Sequence, residues 1–431
     1  MSRLTLSLAT IAFGLLGAAV LHAQLLAPVG DAVGSVARLP GDLLGEVARP
    51  VNGALRSAAD LAGDRLSRLR LFASRNRDAI ELDAQGEPAV RGEVIAVDPP
   101  DNVLRQALSA GFAVIRDERI EGLDIRSVTL RIPSGWTLRK AIAQLRRIAP
   151  QGEFAPNHIL LPSGATSGET NAPLATGTAG ASPIGLIDGG VARHASLGPI
   201  EQRGFAEGAP SASAHGTAVA SLIVGNGRVR GASPGSPLLV ADVYGRDPRG
   251  GNALAIARAL GWMSSRRAPV VTVSLVGPAN PLLARAVALA SAKGMQIVAA
   301  VGNDGPAAPP SYPASYPQVL AVTGVDGRNR PLIEAGQALH LDYAAPGADM
   351  MAAAPNGGAI AVRGTSFAAP LVAGRFASHY SSSEPSRRAT ALAALDREAR
   401  DLGKPGPDRL FGRGLICGDC RSPGKAPTGR N

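Results

Sequence analysis

Two hydrophobic rhythms divide the chain. Within residues 92–161, short alternating apolar runs predict strands at 93–97, 112–116, 125–132 and 154–161. Between them lie two helical patterns, one with Leu104, Ala107 and Leu108 on a face, the other with Leu138, Ile142, Leu145 and Ile148. Pro99-Pro100-Asp101 reads as the cap of the first helix, Thr137 as the N-cap of the second, and Glu121-Gly122 as a turn. The order is β-α-β-β-α-β, a small α+β unit. Residues 162–182 are a Gly/Ala/Ser/Thr/Pro run with few large side chains, read as a flexible linker open to cutting. From 183 to 416 the rhythm changes. Buried apolar strands at 184–187, 238–243, 270–275, 296–300 and 319–325 are interleaved with helices at 215–224, 253–263 and 282–293. Continuous apolar strands separated by helices predict an α/β domain whose mostly parallel sheet is covered on both faces. A further alanine-rich run, 367–376, predicts a buried helix with Pro370 in its first turn, where the missing N–H breaks no helical bond.

The N-terminal 1–23 has Arg3, an apolar run over 4–21 and small residues at Ala18, Ala19 and Ala23. This reads as a signal peptide cut near Ala23-Gln24, in an exported protein that is periplasmic, cell-surface or secreted. An uncleaved run of that length would instead attach the protein to the membrane through its N-terminus. Residues 24–91 alternate apolar helical patches with Pro/Gly breaks and are read as a spacer of unknown role. The tail, 417–431, holds the only two cysteines, Cys417 and Cys420. Two ligands are too few for a structural zinc site, and in an oxidising compartment a local disulfide is expected. The formal charge of +10 raises nucleic acid as a partner. The arginines, however, alternate with acids over 49–147, and no nucleic-acid-binding signature accompanies them. Solvated surface charge, with no nucleic-acid partner, is the reading.

Four polar residues stand at strand or helix ends in the second region. Asp188 ends an apolar strand before Gly189-Gly190, and His215 opens the helix His215-Gly216-Thr217-Ala218. Asn303 follows a strand in Gly302-Asn303-Asp304-Gly305, and Ser366 opens the 367–376 helix in Gly364-Thr365-Ser366-Phe367-Ala368-Ala369-Pro370. Singly, each has a plain structural explanation: turn former, polar cap, positive-φ turn residue, helix N-cap. Together they form a chemical set. A serine hydroxyl needs a base within reach, and imidazole suits that task. A carboxylate on the second ring nitrogen fixes the tautomer, and an amide N–H serves a developing oxyanion. In sheets of this kind such groups collect at the carboxyl ends of strands.

In these local contexts the order Asp188, His215, Asn303, Ser366 resembles the subtilisin-like serine peptidases (the subtilase, or S8, family). The resemblance extends over Asp188-Gly-Gly-Val191 with His194 and Leu197, Arg230-Gly231-Ala232-Ser233-Pro234, Tyr343-Ala344-Ala345-Pro346-Gly347 and Phe411-Gly412-Arg413-Gly414. It implies a three-layer subtilisin-like α/β fold preceded by a ferredoxin-like prodomain at 92–161, acting as intramolecular chaperone and inhibitor. It implies a zymogen whose mature form hydrolyses polypeptide substrates through an acyl-enzyme. Ser366 would attack, His215 take its proton and Asp188 orient His215, with Asn303 and the Ser366 N–H holding the oxyanion. Ser274-Leu275-Val276-Gly277 resembles the substrate-binding edge. Val276 stands where relatives have glycine, so small apolar residues are expected before the scissile bond. Three further departures are Gly189 in place of Ser or Thr, Ala218 in place of histidine and Leu371 in place of histidine. No cofactor is needed for this chemistry and no metal ligand is assigned. Asp242, Asp247, Asp326 and Asp342 could ligate structural calcium, but their spacing assigns no site. The competing reading is a catalytically silent binding protein on the same scaffold, with 92–161 as a permanent lid.

Overall fold

A computed structural model describes residues 58–163, 171–180 and 182–422; the 1–23 segment lies outside the described residues. The chain opens with α1 (Ala58–Arg75), β1 (Ile80–Leu82) and β2 (Pro88–Val97). It continues through α2 (Asp101–Ser109), β3 (Ala113–Ile120), β4 (Ile125–Arg131), α3 (Leu138–Ile148) and β5 (Glu153–His158). An exit strand, β6 (Leu161–Pro162), follows. Strands β1, β2, β4 and β3 pair antiparallel in that order, with β5 on β2, so the predicted β-α-β-β-α-β order is present with one extra short strand. The sheet's alternation assigns its faces. Val94 and Ala96 meet α2 and α3 through Leu104, Ala107, Leu138 and Leu145, while Ile95 and Val97 point the other way.

The larger part comprises β7 (Ile184–Asp188), β8 (Ile200–Gly204), α4 (Ala214–Val224), β9 (Leu238–Asp242), α5 (Ala253–Ser265), β10 (Val270–Val273) and β11 (Leu275–Val276). After these come α6 (Pro281–Ala292), β12 (Gln296–Ala300), β13 (Val319–Val325), β14 (Tyr343–Pro346), β15 (Met350–Ala353), β16 (Ala359–Val362), α7 (Ala369–His379) and α8 (Arg388–Glu398). Seven strands pair in parallel in the order β14-β13-β12-β10-β7-β9-β8. Strands β7, β9, β10, β12 and β13 are buried at every position, which explains why their sequences are apolar without alternation. Neighbouring residues feed opposite layers. Leu186, Val240, Val270 and Val298 pack toward α4 and α7, whereas Ile187, Leu239, Val271 and Ile297 pack toward α5 and α6. The expected α/β architecture is thus the one observed.

The small unit rests its open sheet face on the helical layer. Ile95, Val97, Ile120, Leu123 and Ile125 share one buried cluster with Leu254, Leu260 and Leu283. Polar bonds frame this contact: Arg258 pairs with Glu118, the Lys293 ammonium donates to Gly122 O at 2.6 Å, and Arg203 meets Glu121 at 3.0 Å. Gly122, at φ 76°, backs onto Gly261 of α5 so closely that a Cβ on either would overlap the other's backbone neighbourhood.

Some expectations need correcting and others hold. The small unit begins before residue 92: β2 starts at Pro88 and β1 pairs with it, so part of the 24–91 spacer is built into the sheet. Asp101 does not cap α2 with its side chain; it sits in the first turn and pairs with Arg126 at 2.8 Å. Thr137 does cap α3, accepting from Lys140 N–H at 3.3 Å. Within the described parts of the 162–182 run, Pro162 pairs with Leu275 and Leu174 bridges Ala192, while 164–170 and 181 lie outside the described residues. Cys417 and Cys420 are disulfide-bonded, with Cα atoms 5.1 Å apart.

Replacing Gly261 with valine is predicted to separate the two parts, because the branched side chain must push the Glu121-Gly122 turn away. Overpacking of this kind costs about 1–3 kcal/mol. Calorimetry of the full chain should show a lowered or divided unfolding transition; a single transition at the wild-type temperature would contradict this packing.

Candidate active site

The candidate side chains sit at the carboxyl ends of the parallel strands and on the loops and helix starts next to them. Asp188 is the last residue of β7 and is 1% exposed. A carboxylate taken out of water needs donors, and it has two kinds. The Gly189 backbone N–H donates to Oδ1 at 2.7 Å, and the His215 ring contributes Nδ1, 2.9 Å from both Oδ1 and Oδ2. The family's hydroxyl after the aspartate is thus absent, but a main-chain donor reaches the carboxylate. Glycine is also sterically required: a Cβ at 189 would lie 2.8 Å from Ser213 Cβ and overlap its hydroxyl.

His215 is placed by Ser213. The Ser213 hydroxyl accepts from Gly216 N–H at 2.9 Å and starts α4, while Ser213 N–H donates to Gly190 O at 2.8 Å. The histidine is therefore not the cap; it projects from the first turn, 2% exposed. A carboxylate can only accept, so Nδ1 carries the proton and the neutral ring leaves Nε2 as an acceptor.

Ser366 lies in a single 3-10 turn, Thr365–Phe367, that leads into α7. It does not act as the helix cap, because α7 starts from Ala368 without a side-chain cap bond. Its neighbours hold it from three directions. Thr365 N–H donates to Asn303 Oδ1 at 2.9 Å, the Thr365 hydroxyl bonds Gly302 at 3.1 Å, and the Ser274 hydroxyl donates to Ser366 O at 3.0 Å. On the other side the Phe367 ring stands 5.4 Å from the His215 ring, centre to centre. His215 Nε2 and Ser366 Oγ are both buried and have no hydrogen-bond partner among the described residues. Buried polar atoms are usually paired, and these two are among nine buried side-chain atoms left with bonding capacity to spare among the described residues.

Asn303 accepts through Oδ1, which turns its two N–H donors away from Thr365. Its predicted positive φ belongs instead to Gly302, at 91°. The set can supply a hydroxyl, an oriented base and an amide donor.

The edge residues 274–277 are occupied by the chain itself. β6 pairs antiparallel with β11, with Leu275 opposite Pro162 and Val276 opposite Leu161. Ser163 N–H and its hydroxyl both donate to Ser274 O, at 3.1 and 3.0 Å, and Leu160 N–H donates to Gly251 O at 2.9 Å. The Val276 side chain reaches toward Gly302, its Cγ1 3.4 Å from where a Cβ there would sit.

Sequence reasoning missed several contributors. The Tyr244 hydroxyl donates to Leu160 O at 2.9 Å, across the groove from β11. Burial, followed by the charges of Asp188 and Asp242, pushes its phenol well above the ordinary range, so it stays a donor. α1 reaches the loop carrying Asn303: Arg65 and Arg68 pair with Asp304, and Leu61 packs on Gly305. The apolar positions of α1 signalled a helix but not the loop it would meet. His194 is held by Gly358 O at 2.8 Å and by Ser196 N–H at 3.0 Å, away from the cluster. The carboxylates named as calcium candidates are engaged otherwise: Asp247 with Arg249, Asp326 with Arg330, Asp342 with Ala321 N–H, and Asp242 with three backbone N–H groups. Among the described residues no group of three or more His, Cys, Asp or Glu is gathered as a metal site.

Comparisons with known proteins agree with this geometry. The sequence profile of the subtilase family (Peptidase S8) matches residues 184–414. The chain is 31% identical to subtilisin BL of Lederbergia lenta over 240 residues, 54% of this chain and 87% of that protein. It is 32% identical to subtilisin of Bacillus pumilus over 248 residues, 54% of this chain and 88% of that protein. The solved structure of the epidermin leader peptide processing serine protease of Staphylococcus aureus superposes with a TM-score of 0.57 at 16% identity, covering 79% of this chain and 99% of that one. At that identity the likeness concerns the fold. The chain belongs to the subtilase family and is a serine-type endopeptidase.

Proposed function

We propose that the chain is an exported endopeptidase made as a zymogen, with Ser366 as nucleophile, His215 as its base, Asp188 as the group that orients His215, and Asn303 with the Ser366 N–H as the oxyanion hole. Ser366 Oγ attacks the peptide carbonyl while His215 Nε2 takes its proton. The imidazolium, stabilised by Asp188, then protonates the departing amine, and water repeats the sequence on the acyl-enzyme. An amide donor to the oxyanion is worth about 3–4 kcal/mol of barrier.

The small α+β unit serves as inhibitor, and the observation that carries this is the seating of its exit strand on β11. Residues 160–163 lie as a substrate would, adding a strand to the edge at 275–276. Ser163 is bonded to Ser274, which in turn is bonded to Ser366. The maturation cut therefore falls after Ser163. No helix among the described residues is long and apolar enough to cross a membrane. Export rests on the 1–23 segment.

Wild-type protein secreted from a heterologous host should shorten by cleavage after Ser163 and label with a fluorophosphonate, whereas Ser366→Ala should stay full length from its mature N-terminus and unlabelled. Intact mass reads both. Equal shortening of the two forms would instead support the silent binding protein.

The approach of Val276 to Gly302 narrows the space for the side chain before the scissile bond. Val276→Gly is expected to raise kcat/KM for peptides with Phe or Leu at that position, relative to Ala, by about 10-fold or more. A chromogenic peptide panel checks this; wild-type preference for Phe or Leu would contradict it.

A further inference from the structure

One buried carboxylate takes no part in the chemistry above. Asp242 ends β9, is the register partner of Asp188 on β7, and has 0% exposure. Its donors are all main-chain. Oδ2 accepts from Ser211 N–H at 2.6 Å, and Oδ1 accepts from Tyr244 and Gly245 N–H, each at 3.0 Å. No cation pairs with it among the described residues. Arg246, on the same turn, donates to the Ser211 hydroxyl at 3.2 Å instead. Arg203 on β8 turns outward to Glu121, and Asp247 pairs with Arg249. The titratable groups coupled to Asp242 are Tyr244 and Asp188, and Asp188 carries His215. Burial pushes the Asp242 carboxyl up, the N–H groups of Gly245, Ser211 and Tyr244 pull it down, and the charge of Asp188 adds to the upward push.

Its best donor, Ser211, begins the turn that delivers the histidine. Ala212 bridges Gly190, Ser213 N–H is bonded to Gly190 O, and the Ser213 hydroxyl starts α4 two residues before His215. Asp188 thus holds the imidazole directly, and Asp242 holds the segment on which it is mounted.

We propose that Asp242 is a positioning residue for His215: as a carboxylate it clamps the Ser211–Ser213 turn and adds a second negative charge behind Asp188, favouring the imidazolium that forms when Ser366 gives up its proton. This rests on the triad assigned above. Asparagine at 242 removes the charge and turns an NH2 group toward backbone N–H donors. Ser213→Ala removes the cap of α4 and leaves the charge in place.

The test is the pH dependence of kcat/KM for the matured enzymes. Asp242→Asn should lose about 10- to 100-fold, with its acid limb moved to lower pH by about one unit, as removal of a nearby buried charge requires. Ser213→Ala should lose rate with its acid limb unmoved. An Asp242→Asn enzyme with the wild-type limb, or within twofold of wild-type kcat/KM, overturns the proposal. If Asp242→Asn does not accumulate as folded protein, carboxyl-carbon NMR of the aspartates in the Ser366→Ala chain decides. Asp242 should be ionised throughout the pH range in which wild type cleaves, and an Asp242 protonated over that range overturns the proposal. Failure of the triad itself appears separately, as wild type without activity or Ser366→Ala with it.

Discussion

An ionised carboxylate removed from water costs several kcal/mol unless donors meet it, and at Asp188 one of those donors is a histidine ring. Much of the molecule serves to make that meeting possible. β7 must end beside the start of α4, so the chain runs out through β8 and returns to bond Ser213 N–H to Gly190 O. Gly189 has to be without a side chain, because Ser213 fills the space. The imidazole then has one nitrogen committed to the carboxylate and the other buried and without a partner among the described residues, its ring 5.4 Å from that of Phe367, the residue after Ser366. A neutral ring in that state can accept a proton only at Nε2.

The same groove that would admit a polypeptide is filled by the chain's own residues 160–163. The fit depends on two sides, β11 below and Tyr244 with Gly251 across. Around it the small unit is held by an apolar face on α5 and α6 and by ion pairs at its margins. A second His–Asp pair lies in this interface. His158 Nε2 is 3.0 Å from Asp83, while Nδ1 accepts from the Asn280 amide at 3.2 Å. Burial raises the Asp83 carboxyl, but hydrogen bonds from His158 and the Glu87 and Gln85 N–H groups outweigh it and leave Asp83 below the usual range. A depressed carboxylate stabilises the folded chain above its unfolded value, and that contribution fades as pH falls through the folded one. Acidification therefore weakens this corner of the small unit.

Most of the sheet was legible because strands buried on both faces leave uninterrupted apolar runs, as at 184–188 and 296–300. Elements lacking that mark were not. β8, Ile200–Gly204, is an edge strand with Glu201, Gln202 and Arg203 half out in solvent. β1 is three residues long, too short for alternation to register, and α8 has few buried positions. At the site, motif context pointed to Asp188, His215, Asn303 and Ser366 because each needs a particular backbone around it. Asp242 and Tyr244 gave no such sign. An aspartate at a strand end looks like any turn former, and only the three-dimensional register places it beside Asp188.

The account turns on where the proton of His215 resides. Nitrogen-15 NMR of histidine-labelled Ser366→Ala protein reads it directly. The neutral ring should be protonated at Nδ1, with a far-downfield proton on that nitrogen that disappears when Asp188 is also changed to alanine. A His215 ring protonated at Nε2, or a Nδ1 proton indifferent to Asp188, would contradict the account.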